Sequence, residues 1–134
     1  MANTTGDRRG ARKSGEERAG AYQPDRGDFI YLDFTPQAGR EQAGRRPALV
    51  LSPLDYNVAT GLIFACPVTN QAKASPFEVP IPPAARITGV VLSNQMRALD
   101  WLARNAELHS HAPNDLVLEV LARIEAVLQI SVDP

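Results

Sequence analysis

Short apolar runs, cut apart by proline and glycine, fill the middle of the chain and leave few folds open to it. Phe29-Ile30-Tyr31-Leu32-Asp33-Phe34 is aromatic and β-branched, and Thr35-Pro36 ends it. Leu49-Val50-Leu51 follows Pro47 and is closed by Ser52-Pro53. A longer run goes from Gly61 to Val68. Pro76 to Ile81 is punctuated by prolines, which predicts an edge strand. Gly89 to Leu92 and the Ala98-Leu99 pair give two more short strands. None of these runs is long enough for a core helix. A regular succession of short strands and turns predicts a small antiparallel barrel.

One helix is predicted, from Asn114 to Ile130. Leu116, Val117, Val120, Leu121, Ile124, Val127 and Leu128 recur at helical spacing, while Asp115, Glu119 and Glu125 lie off that stripe. Asn114 is placed as the N-cap, with Pro113 limiting extension upstream. The apolar stripe makes this helix a lid on the barrel core.

Residues 1–26 hold no hydrophobic period and one aromatic, Tyr22, so they read as a flexible extension. They lack an apolar core with a cleavage site, and no run in the chain is long enough to span a membrane, so a cytoplasmic location is expected. The 134 residues, 44% apolar, suit one domain with a modest core, placed at 27–131. Cys66 is the lone cysteine, set in an apolar run, and is predicted to be a core thiol. Neither it nor the histidines form a zinc spacing.

Net charge is -1, which excludes a generally basic nucleic-acid binder. Its distribution is uneven: residues 1–26 carry +2, 27–98 carry +1, and 99–134 carry -4. Arg40, Arg45, Arg46, Lys73, Arg86 and Arg97 all fall in the middle segment. A nucleic-acid site would therefore be a local patch, which is what phosphate affinity requires.

The patch begins in the loop Gly39-Arg40-Glu41-Gln42-Ala43-Gly44-Arg45-Arg46, which feeds the strand after Pro47. Loops anchored on rigid strands are where binding and catalytic groups concentrate. Arg46 stands directly before proline, so its backbone is held toward extended geometry. The residues from Gly27 to Phe34, then Glu41-Gln42-Ala43-Gly44-Arg45-Arg46-Pro47 through Pro53, resemble the MazF/PemK family of toxins, nearer its MazF branch. The likeness continues through Tyr56-Asn57, Pro67 to Lys73, Pro76 to Val79, and Gly89 to Gln95.

This resemblance implies a mainly β fold with a C-terminal helix, an SH3-like barrel of the plasmid-maintenance-toxin type. It implies a homodimer that cleaves single-stranded mRNA in a sequence-specific, metal-independent way and needs no cofactor. The products would be 2′,3′-cyclic phosphate and 5′-hydroxyl ends, and growth would stop as translation failed. The partner would be an acidic MazE-like antitoxin, laying a carboxylate-rich tail along the basic groove. A gyrase-binding toxin of the same fold, or a non-catalytic RNA- or protein-binding barrel, is the alternative.

RNA is cut without metal when its own 2′-hydroxyl attacks the neighbouring phosphorus. The protein must take that proton, stabilise charge on the phosphoryl oxygens and protonate the 5′-oxygen. Arg46 suits the second task, being a fixed, always-charged fork. Glu41 is the nearest carboxylate and the candidate base. Thr69 can add a neutral hydrogen bond. The family pattern places its catalytic arginine, threonine and glutamate on the same three residues. PemK-type relatives carry a catalytic arginine and aspartate after Gly-Val-Val, where this chain has Leu92 and Asn94.

Base edges of single-stranded RNA would meet the amides Gln42, Asn57, Asn70, Gln71 and Asn94, while Arg40, Arg45, Lys73 and Arg97 would track its backbone. His109 and His111, in a polar stretch before Pro113, are expected to be plain surface histidines.

Overall fold

The structure is a computed structural model that describes residues 22–34 and 44–129. Its elements are β1 (Asp28–Asp33), β2 (Arg45–Val50), α1 (Leu54–Thr60), β3 (Leu62–Thr69), β4 (Glu78–Pro80), β5 (Val90–Leu92), a 3₁₀ turn (Ser93–Gln95), β6 (Arg97–Asp100), β7 (Glu107–His111) and α2 (Asn114–Leu128). All strand pairs are antiparallel, in the order β4-β5-β3-β2-β1-β7, with β6 added on β3. This is the expected mainly β architecture, with one difference: among the described residues no ladder joins β4 to β7, so the sheet stays open.

Both faces of the sheet are covered, and strand alternation divides the core in two. Phe29, Leu49, Cys66, Val68 and Val91 pack under α2 through Leu116, Val117 and Val120. Ile30, Ala48, Val50, Ile63, Ala65 and Leu99 face the other way and pack with Trp101. The lid helix is real, but its stripe is used only in part: Val127 and Leu128 in its last turn are exposed. Pro113, not Asn114, occupies the N-cap, and no side chain caps the helix. The Pro113 carbonyl accepts from Leu116 N and Val117 N instead.

Three features depart from the sequence expectation. A short helix, α1, precedes β3, closed by Gly61 at φ 76°. The histidine-bearing stretch is not a connection but a strand, β7, on the free side of β1. Residues 22–26 belong to the packed domain. Pro24 and Asp25 are buried, the Tyr22 hydroxyl donates to Asp28 Oδ2, and Asp25 Oδ1 accepts from Leu54 N at 2.9 Å.

The edge of β3 opposite β2 is shared. Val68 and Thr69 pair with β5, whereas Leu62 to Ala65 pair with β6. The 3₁₀ turn bridges these two stretches, so it leaves the ladder beside Cys66 and Pro67 of β3. That departure is what brings Asn94 and Gln95 to the candidate site.

Candidate active site

Arg46 and Thr69 lie at the matching ends of two paired strands. The β2–β3 register runs Ala48↔Pro67, Leu49↔Cys66, Val50↔Ala65. Carried two residues toward the strand ends, it sets Arg46 against Thr69 on one face. Both residues line the same two cavities. Pro47 between them falls outside the stretch of β2 paired to β3, so its missing N–H removes no rung there.

The first cavity, about 600 Å³, is lined by Phe34, Arg46, Thr69, Lys73, Asn94 and Arg97, with Gln71, Gln95 and Glu78 beside them. Arg97 lies over the Phe34 ring, 5.1 Å from its centroid, so an aromatic face helps fix that guanidinium. Glu78 orders the loop before β4: its oxygens accept from Lys73 N at 2.8 Å and Ser75 N at 3.4 Å.

The second cavity, about 590 Å³, holds Tyr31, Arg45, Arg86, Asn70 and His109 against the same Arg46, Thr69 and Gln71. Asn70 Oδ1 accepts from the Thr88 hydroxyl at 3.0 Å. Thr69 Oγ1 accepts from Gln71 N at 3.1 Å, which steers the threonine hydroxyl at the turn out of β3. β5 approaches this turn closely because residue 89 is glycine. At φ 118°, a Cβ there would sit 2.4 Å from the Thr69 carbonyl oxygen.

Of the residues expected at the site, Arg46, Thr69, Asn70, Gln71, Lys73, Asn94 and Arg97 are gathered around these two cavities. Arg40, Glu41 and Gln42 lie outside the described residues. Two expectations need correction. Asn57 is fully buried and not available to RNA. Its amide donates to Pro24 O and Ser52 O, both at 2.9 Å, and its Oδ1 accepts from the Ser52 hydroxyl at 2.6 Å. Arg45 is a strut, not a free backbone tracker. It donates to Asp33 Oδ1 at 3.1 Å, to Glu107 Oε1 at 2.8 Å and to the Asn105 carbonyl at 2.8 Å. Hydrogen bonds from Asn105 and Arg45 hold the Asp33 carboxyl below its ordinary range.

The residues not foreseen include Tyr31, Phe34, Glu78, Gln95 and His109. Phe34, Glu78 and Gln95 could have been reached from the sequence, since each lies within a motif block. His109 could not, because its placement depends on a strand irregularity. Among the described residues no group of His, Cys, Asp and Glu could hold a metal ion, and no helix is long and apolar enough to cross a membrane.

A cationic fork and a hydroxyl thus stand at adjacent strand ends, between two cavities. Comparison with known proteins places the chain. Residues 25–128 match the PemK-like, MazF-like toxins of type II toxin–antitoxin systems. The chain is 44% identical to the Escherichia coli K12 endoribonuclease toxin MazF over 108 residues, 80% of this chain and 96% of that protein. It is 35% identical to the E. coli endoribonuclease PemK over 108 residues, 78% of this chain and 81% of that one. The crystal structure of Deinococcus radiodurans MazF superposes with a TM-score of 0.74 at 52% identity, covering 82% of this chain and all of that one. A D. radiodurans MazE–MazF structure gives a TM-score of 0.75 at 51% identity, covering 82% and 100%. The chain belongs to the PemK-like, MazF-like family of type II toxins.

Proposed function

We propose that this protein is a sequence-specific endoribonuclease toxin that cuts single-stranded mRNA and so halts translation. The observation that carries the reading is the juxtaposition of Arg46 and Thr69 at one end of β2 and β3, each lining both cavities. The scissile phosphate sits on that ridge, with the flanking nucleotides in the two cavities. The 2′-oxygen attacks phosphorus and the bond to the 5′-oxygen breaks, leaving a 2′,3′-cyclic phosphate and a 5′-hydroxyl. Arg46 meets the charge growing on the phosphoryl oxygens. Thr69 adds a neutral donor, and Glu41 takes the 2′-proton.

Asn70, Gln71 and Asn94 offer amides to base edges, and Lys73 and Arg97 offer charge to neighbouring phosphates. Arg40 and Gln42, outside the described residues, are proposed to contact the RNA as well. The toxin works in the cytoplasm as a homodimer, held inactive by an acidic antitoxin of the MazE kind. Of the expected extension at 1–26, residues 1–21 lie outside the described residues.

The test is direct. Purified protein is incubated with a long RNA in excess EDTA, and the new ends are mapped. Cuts at one short motif, with cyclic phosphate and 5′-hydroxyl ends, are expected. Random cutting, or cleavage that returns only when magnesium is added, would sink the reading.

A further inference from the structure

Cleavage by Arg46, Thr69 and Glu41 leaves one proton without a source. The departing 5′-oxygen needs a donor, and neither side chain on the ridge is a good one. An arginine hardly ever gives up its proton, and a threonine hydroxyl is a weak acid. Histidine is the side chain that ordinarily titrates between pH 5 and 8. Among the described residues lining either cavity there is one histidine, His109.

Its position is built by the backbone. β7 pairs with β1 as Tyr31↔Glu107 and Ile30↔Leu108, then Phe29↔Ser110 and Asp28↔His111. The register skips His109, which is the extra residue of a β-bulge. Bulges re-aim a side chain, and they recur beside active sites. Here the bulge turns the imidazole toward Tyr31, in an edge contact at 5.5 Å between ring centroids, and into the cavity shared with Arg46 and Thr69. The ring is half-buried, and its Nδ1 is 2.7 Å from the Ser110 hydroxyl, which can donate or accept. That contact fixes the ring and leaves Nε2 as the atom for substrate.

The charged and titratable groups around it are Tyr31 on β1, Arg45 and Arg46 on β2, Arg86 before β5, and Glu107 on its own strand. Glu107 pairs with Arg45, so neither is a proton donor to RNA. A phosphate on Arg46 would lie in the cavity that His109 also lines.

Resting on the endoribonuclease reading, we propose that His109 is a further catalytic residue, protonating the 5′-oxygen leaving group at the phosphate held by Arg46 and Thr69. As the P–O5′ bond breaks, its electron pair stays on the 5′-oxygen and takes the proton from Nε2. The neutral imidazole then recovers a proton from solvent. The second cavity therefore accepts the nucleotide on the 3′ side of the cut.

The experiment uses a short RNA spanning the cut site mapped for the wild-type protein. It is made with oxygen or with sulfur at the scissile 5′ position, since a thiolate departs without a proton. Single-turnover rates are measured across pH for the full-length wild type, His109→Gln and His109→Ala, with thermal melts to confirm folding. On the oxygen substrate both variants should cleave about a hundred- to ten-thousandfold more slowly, and the alkaline fall in the wild-type profile should vanish. On the sulfur substrate the variants should come within a few-fold of wild type. Equal losses on both substrates would mean that His109 binds or positions RNA, and variants as fast as wild type would mean that it does nothing; either overturns the proposal alone. A wild-type protein inert toward both substrates overturns the endoribonuclease reading beneath it.

Discussion

Arg46 and Thr69 line both cavities from matching ends of β2 and β3, where a fixed charge and a hydroxyl can meet one phosphate. Metal-free RNA cleavage needs charge stabilised on the phosphoryl oxygens, so Arg46 could be named before any fold, and the family pattern added Thr69. An amide carries no such mark. Asn57 has the same side chain as Asn70, yet it is tied inside the domain to Pro24 and Ser52 while Asn70 faces a cavity. For Arg46, lysine should be nearly as damaging as alanine, because it keeps the charge but loses the planar pair of donors. Removing one such donor costs about 3–4 kcal/mol, roughly a hundred- to a thousandfold in single-turnover rate. A lysine variant within a few-fold of wild type would make Arg46 a docking charge. Cys66 is the core thiol expected, and burial pushes it up to about 12. Alkylating reagents at pH 8 should leave it untouched in the folded protein and modify it rapidly in urea. Fast labelling of the native state would show that the core opens there.

Among the elements, five strands, the further short pairing at Leu99 and the C-terminal helix were legible, because burial on a sheet or a helix face leaves a period. α1 and β7 left none. α1 buries only Asn57, so its signs were Pro53 before it and Gly61 after it rather than an apolar stripe. β7 reads Glu-Leu-His-Ser-His because it sits at the sheet's edge, where backbone pairing to β1 does the work of apolar side chains. The junction of β3 and β5 gives a test at this scale. Gly89→Ala places a Cβ where the Thr69 carbonyl already lies and strains a left-handed backbone. The expected cost is about 1–3 kcal/mol of stability. Since β5 must move off Thr69, cleavage should fall further than the melting temperature alone predicts. A variant that melts early but cleaves normally at low temperature would uncouple Gly89 from the site.

For the molecule as a whole, the question is where the domain begins. Composition put the boundary after residue 26, since nothing before it shows a period. The contacts put it earlier. Tyr22 and Asp25 N both donate to the carboxylate of Asp28, which is buried and also touches His111 Nδ1 at 3.0 Å. Pro24 O accepts a hydrogen bond from the Asn57 side-chain amide, and the Asn57 backbone carbonyl accepts from Trp101 Nε1 at 2.9 Å. Residues 22–25 thus tie β1, α1 and the segment after β6 into one polar knot beneath the sheet. The signal is local hydrogen bonding by Asp and Asn, which no hydrophobic period reports. Two truncations separate the readings. Deleting residues 1–21 removes none of these contacts, so stability and the cleavage motif should not change. Deleting residues 1–26 leaves Asn57, Leu54 and Asp28 each short of a buried partner, at about 1–3 kcal/mol apiece. With about 4–8 °C lost per kcal/mol in a domain of this size, the second protein should melt at least ten degrees or so lower, or fail to fold. If both truncations melt together with the full chain, the knot contributes little and the domain starts at β1. If deleting residues 1–21 already changes the cut motif, the first 21 residues reach the RNA.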